Sequence, residues 1–182
     1  MEAIEMIYGR RSVRKFTDEP VTKEDIEKIV KVAQMAPSWK NTQTPRFTAV
    51  MDPAIKNRIG EEFTLGFTPN TETITGAPCL IVEMTQGKRS GYERDGSFTT
   101  AKGTHWESFD AGLAAQTFCL AAYEQGFGTT IMGYFDEDAI KKELGIDDED
   151  IKVSALIAIG HPDEEPVAPK RKDIEKILSF VE

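Results

Sequence analysis

Histidine and cysteine are scarce in this 182-residue chain, two of each. Cys79 and Cys119 stand in apolar surroundings and read as buried thiols of a reducing compartment, ahead of a disulfide or a metal pair. His105 has no carboxylate or cysteine partner in view and reads as a surface histidine rather than a base or metal ligand. Long hydrophobic runs are missing as well. None approaches the ~20 residues of a membrane span, and no signal-peptide segment follows Met1, so a cytoplasmic chain without a membrane partner is expected. Cationic residues are outnumbered, 22 against 31 acidic ones, and the net charge of −9 would repel nucleic acid and anionic membranes alike. What remains, with an apolar fraction of 40%, suits one globular domain over residues 1–182.

Against that acidity, the segment Arg10 to Phe16, RRSVRKF, gathers four cations and a hydroxyl. In an extended chain Arg10, Ser12 and Arg14 project from one side, while Arg11, Val13 and Lys15 take the other. Guanidinium forks converging with a hydroxyl suit a phosphate monoester. Alone, the heptapeptide could equally be a solvated basic turn or a weak nucleic-acid patch. A second cluster, Lys170-Arg171-Lys172, shifts the balance toward one anion held where the two ends of the chain meet.

Apolar spacing predicts a short helix over Ala3–Tyr8 and an amphipathic helix capped by Thr22, with Ile26, Ile29, Val30 and Ala33 inward and Pro37 as its stop. Phe47–Met51 reads as a strand. Asp52 and Pro53 open a helix lined by Ile55, Ile59 and Phe63. Leu65–Gly76 reads as irregular, and Ala77–Met84 as a strand covered on both faces. Residues 85–104 are polar and glycine-rich, a variable loop or lid in which Tyr92, Arg94 and Phe98, with His105 after it, could touch a ligand. Trp106–Gln125 is a helix apolar nearly all round, more than one small domain can cover, so a second copy of the chain is expected against it. A helix from Asp136 to Leu144 and a buried strand over Val153–Gly160 precede an arm, 161–182, whose end has both helical and edge-strand character.

The segment APSWKNTQTP, Ala36 to Pro45, lies between a helix and a strand. It is either a surface turn or a ligand loop, because Ser38, Asn41 and Gln43 offer the donors and acceptors that a flat heterocycle with imide and carbonyl groups requires.

Taken in order, RRSVRKF, APSWKNTQTP, the helix AAQTFCLAAYEQGFGTT, IMGYFDEDAIKKELGI, a strand ending in GHP, and PKRK resemble the nitroreductase family of FMN-dependent oxidoreductases over nearly the whole chain. The resemblance implies an α+β fold with a mainly antiparallel central sheet flanked by helices, in an intertwined homodimer with FMN at the subunit interface. It places Arg10, Arg11, Ser12, Arg14, Lys170 and Arg171 on the phosphate and ribityl side. Pro37, Ser38, Trp39 and Asn41 would come from the other subunit onto the ring, with Gln43 nearby. Ile131, Met132 and Gly133 would pass the ring edge and offer a backbone N–H to N5. It also implies ping-pong hydride transfer from NAD(P)H to an electron-poor acceptor such as a nitroaromatic or quinone, with no side chain required as acid or base. No G-x-G-x-x-G signature separates NADH from NADPH.

Departures from the family pattern bear on the substrate face. Gly133-Tyr134 stands where many members carry Glu or Gly before a second Gly, Asn70 is the one candidate for a flavin-facing amide, and residues 85–104 match no family pattern. Thr129 and Thr130, near the expected N5, leave open one-electron chemistry of the reductive-dehalogenase kind. A slow FMN carrier or sensor, and an acidic interaction module, are the further alternatives.

Overall fold

Proline on one side and a glycine-rich stretch on the other bracket the apolar run Cys79–Gln86 (β2), of which only the last residue escapes burial. A strand covered on both faces belongs inside a sheet. It pairs antiparallel with Pro45–Val50 (β1) and with Ile151–Gly160 (β4), and β4 pairs antiparallel with Gly128–Met132 (β3), giving the order β1-β2-β4-β3. The structure is a computed structural model that describes residues 2–182.

Alternation along β2 divides the core in two. Leu80, Val82 and Met84 face Ile59, Ile74 and Ile140 from helices Pro53–Glu62 (α3), Thr68–Gly76 (α4) and Glu137–Glu143 (α6). Cys79 and Ile81 face Ile29 and Phe118 from helices Lys23–Ala33 (α2) and His105–Glu124 (α5). The result is the expected α+β arrangement, an antiparallel sheet with helices on both sides. Both cysteines are free and buried, and burial pushes the Cys79 thiol up to about 12.

Most helix ends follow their sequence signals. Thr22 and Asp25 cap α2 reciprocally, and the Asp52 carboxylate accepts the amides of Ala54 and Ile55 beside Pro53 at the start of α3. The first helix, Ala3–Gly9 (α1), has no buried residue, and Ile4, Ile7 and Tyr8 are exposed.

Three expectations need correction. Residues 65–76 are not irregular throughout, since 68–76 form α4. Its threonines and proline are weak helix formers, and tertiary contacts decide. Ile74 is buried against Gly60, the hydroxyls of Thr73 and Thr75 bond back to Pro69 and Thr71 carbonyls, and the buried Lys56 ammonium donates to the carbonyls of Ile74 and Thr75 at 2.8 Å each. Thr85 and Gln86 belong to β2, so the loop begins later. It is built of tight turns, with a Tyr92–Phe98 bridge across Glu93 to Ser97. The end of the arm is neither helix nor strand, apart from one 3-10 turn over Ile174–Lys176.

Candidate functional site

RRSVRKF continues the sheet beyond β3. The Val13 amide donates to the Thr129 carbonyl at 3.0 Å, and Ser12 bridges Thr129 in parallel register. Val13 and Phe16 are thereby turned into the core. The C-terminal arm returns alongside: Thr17 donates to the His161 carbonyl (3.0 Å), Asp163 to that of Lys15 (2.9 Å), and Glu164 Oε1 accepts the amides of Arg14 (2.6 Å) and Lys15 (3.3 Å). The two ends of the chain do meet.

Between them lies a cavity of about 300 Å³ lined by Arg10, Arg11, Ser12, Arg14 and Arg171, with Pro166, Val167 and Pro169 as its apolar wall. No carboxylate lines it. Arg10 Nε is buried without an acceptor, which is costly unless an anion supplies one. Arg11 breaks the expected alternation by lining the same cavity, and its guanidinium is also used to close α1, donating to the Tyr8 and Arg10 carbonyls at 2.6 and 2.8 Å. Arg171 donates to Pro169 O, which orients its fork, whereas Lys170 is exposed and outside the lining. Phosphate suits this donor set.

Past Thr129, the outer edge of β3 is bare. Strand alternation turns the Ile131 N–H to the edge from which the Thr129 carbonyl points. The Ile131 side chain is half exposed, Met132 is buried in the core, and a Cβ placed on Gly133 would meet nothing within 4 Å. Asn70, at the start of α4, donates to the Tyr134 carbonyl at 3.2 Å, which brings the amide candidate beside this edge. A flat ring fits such a bare backbone. The hydroxyl-bearing side chains of Thr129 and Thr130 are buried instead.

Pro37, Ser38, Trp39, Asn41 and Gln43 do not line the arginine cavity within one chain. They form a strained segment in which Lys40 (φ 45°), Asn41 (φ 56°) and Gln43 (φ 49°) are left-handed, at a cost of roughly 1–2 kcal/mol apiece for a side-chain-bearing residue. Tethers hold that shape. Gln43 N donates to Ser38 Oγ (2.9 Å), Lys40 pairs with Glu93 (3.2 Å), and the Trp39 ring lies 4.5 Å from that of Trp106. The Trp39 amide donates to both oxygens of Asp110, at 3.1 and 2.9 Å, and Ser90 Oγ donates to the same carboxylate. Asp110 was missed in the sequence, although a lone acid on a buried helix face must find donors.

Glu83 was also missed, though it is the one charge in the run CLIVEM. It is buried on β2, its Oε1 has no partner, and burial pushes its carboxyl up to about 8. It lies at the wall of a cavity of about 610 Å³ under α5 that Ile131 also lines. The loop aromatics pair with each other, Tyr92 with Phe98 at 4.8 Å, and His105 opens α5.

A sequence profile of the nitroreductase family matches residues 7–161. A protein of Archaeoglobus fulgidus provisionally named NADH dehydrogenase/NAD(P)H nitroreductase is 33% identical over 168 residues, 90% of this chain and 87% of its own. A solved nitroreductase family protein of Clostridium novyi NT is 28% identical, with a TM-score of 0.78 over 97% of this chain and 91% of that one. A protein of Exiguobacterium sibiricum, provisionally titled a nitroreductase and solved in complex with FMN, shares the fold at 19% identity, with a TM-score of 0.83 over 100% of this chain and 98% of that one.

Proposed function

This chain belongs to the nitroreductase family, and from that premise we propose that it is an FMN-dependent NAD(P)H oxidoreductase acting on electron-poor acceptors such as nitroaromatics or quinones. The observation that carries the reading is the arginine cavity, where both ends of the chain meet around an orphaned Arg10 Nε. Arg10, Arg14 and Arg171 grip the phosphate, with Arg11 and Ser12 at its margin and Lys170 adding charge from outside. Each charge-assisted bond contributes ~1.5–3 kcal/mol. The Ile131 edge, with Met132 and Gly133, lies along the ring.

The other ring contacts, Pro37, Ser38, Trp39, Asn41 and Gln43, come from a second copy in a homodimer. Two features support this: α5 is apolar on nearly every side, and Phe109 and the α1 residues Ile4, Ile7 and Tyr8 are exposed. FMN held there would supply the hydride chemistry, from NAD(P)H to the acceptor that replaces it in ping-pong order. The protein anchors, orients and covers. The buried side chains of Thr129 and Thr130 support the reductase reading over the dehalogenase alternative.

The test is the absorption spectrum of freshly purified protein, with mass spectrometry of what denaturation releases. Expected are a flavin spectrum and FMN, anaerobic bleaching by NADH or NADPH, and recovery of colour with a nitroaromatic or quinone. Colourless protein that cannot take up FMN overturns the proposal. Flavin that stays yellow with both nucleotides makes the protein a carrier instead.

A further inference from the structure

Asp110 stands where three parts of the chain cross. It projects from the second turn of α5, is 1% exposed, and accepts from Trp39 of the strained segment and from Ser90, itself fully buried at the root of the 87–104 loop. An acid in that position costs folding energy unless every oxygen is used, and here the donors come from two different loops. The same loops touch again above it, through Trp39 on Trp106, Trp106 Nε1 on Thr100 Oγ1 at 2.9 Å, and Lys40 on Glu93. Left-handed Lys40, Asn41 and Gln43 persist only where their surroundings over-determine them. The Trp39 amide at the head of that run is fixed by Asp110 alone among the hydrogen bonds it makes.

We propose that Asp110 is the positioning residue for the segment Ser38–Gln43 and that it acts across the subunit boundary. Its carboxylate in one protomer sets the shape in which Ser38 and Asn41 meet the flavin ring held by the partner's arginines. The proposal rests on the cofactor and dimer reading above and goes beyond it, because Asp110 itself touches no cofactor. The 87–104 loop, joined to the carboxylate through Ser90, is then a buttress for the neighbouring site.

The experiment compares wild type with Asp110→Ala, and with Asp110→Asn as the near-isosteric variant that keeps the core filled. In the apoprotein, hydrogen exchange at the amides of Trp39 to Gln43 is expected to quicken in Asp110→Ala and less in Asp110→Asn. In the loaded dimer, FMN affinity is expected to stay within about tenfold, since the phosphate grip is intact. The visible band and the midpoint potential of the flavin shift, and kcat/KM falls about a hundredfold, as expected for misplaced ring contacts.

Mixed dimers locate the effect. With Asp110→Ala and a phosphate-site lesion (Arg10→Glu with Arg171→Glu) on the same protomer, the one remaining flavin faces the altered segment and its spectrum shifts. With the two lesions on opposite protomers, the remaining flavin faces an intact segment and its spectrum is normal. Unchanged exchange and an unchanged potential in Asp110→Ala overturn the proposal, as does the reverse pattern in the mixed dimers. Failure of wild type to take up FMN is a separate outcome: it removes the cofactor reading and the trans role with it, whereas the exchange result alone decides the tether.

Discussion

Val13 lies against the bare Cα of Gly128, so closely that a Cβ built there would sit 2.8 Å from the valine's own Cβ. This contact lets RRSVRKF dock on the edge of β3, and with it the arginines that line the cavity. Gly128→Ala should therefore push the segment outward. The expected loss is about 1–3 kcal/mol of stability, together with weaker retention of FMN, read by denaturant titration and by flavin release on gel filtration.

The cationic side chains of this segment and of the arm should not be equivalent. Arg14→Ala and Arg171→Ala each remove a fork that lines the cavity. Each should raise the FMN dissociation constant about ten- to a hundredfold. Lys15 is exposed, and its hydrogen bonds to the arm run through its backbone, so Lys15→Ala should leave retention close to wild type. Equal retention in all three variants, measured by flavin fluorescence on dilution, sinks the phosphate assignment.

Glu83 gives the fold a pH dependence of definite sign. Its carboxyl titrates at about 8 in the folded protein against an ordinary value of 4.5, because burial disfavours the charge. Between those values the folded state holds a proton that the unfolded chain has lost. Stability contributed by this group falls as pH rises from the lower value to the higher one, and levels off above it. Glu83→Gln should flatten that slope and be the more stable protein at about pH 8.5, by a few kcal/mol at most. Urea midpoints of the two proteins at about pH 5.5 and about pH 8.5 are the measurement.

Lys56 makes the opposite case, a buried charge that is fully partnered. Its ammonium closes the C-terminal end of α4 through the Ile74 and Thr75 carbonyls and reaches Asn57 Oδ1 at 2.8 Å, although burial lowers its pKa. Lys56→Met fills the space but takes the ammonium donor from the Thr75 carbonyl and leaves the Ile74 carbonyl only the Ala77 amide, at 3.3 Å. A loss of about 2–4 kcal/mol is expected, with α4 the first region to lose amide protection.

What was legible in the sequence follows from how local each cause is. The capping box at Thr22, the Asp52-Pro53 start and the two-sided apolar run of β2 declare themselves within a few residues, and the structure follows them. The meeting of Arg10–Arg14 with Arg171 was readable because both clusters oppose the charge of the whole chain. Helix α4 was not readable: its threonines favour other conformations, and Gly60 and Lys56 of α3 stabilise it through contacts with Ile74. Asp110 escaped for a related reason. One acid among alanines says that donors are needed, but only the folded chain shows that they come from Trp39 and Ser90.

The two halves of the arginine cavity come from residues 10–14 and 166–171, nearly opposite ends of the polypeptide. During translation the first half leaves the ribosome long before the second exists. On the proposed reading, the phosphate grip is incomplete until residues 166–171 have been made. On that same reading, a protease that nicks the arm just after Glu164 would strip the flavin while sparing the core, because no residue from 165 to 182 is buried.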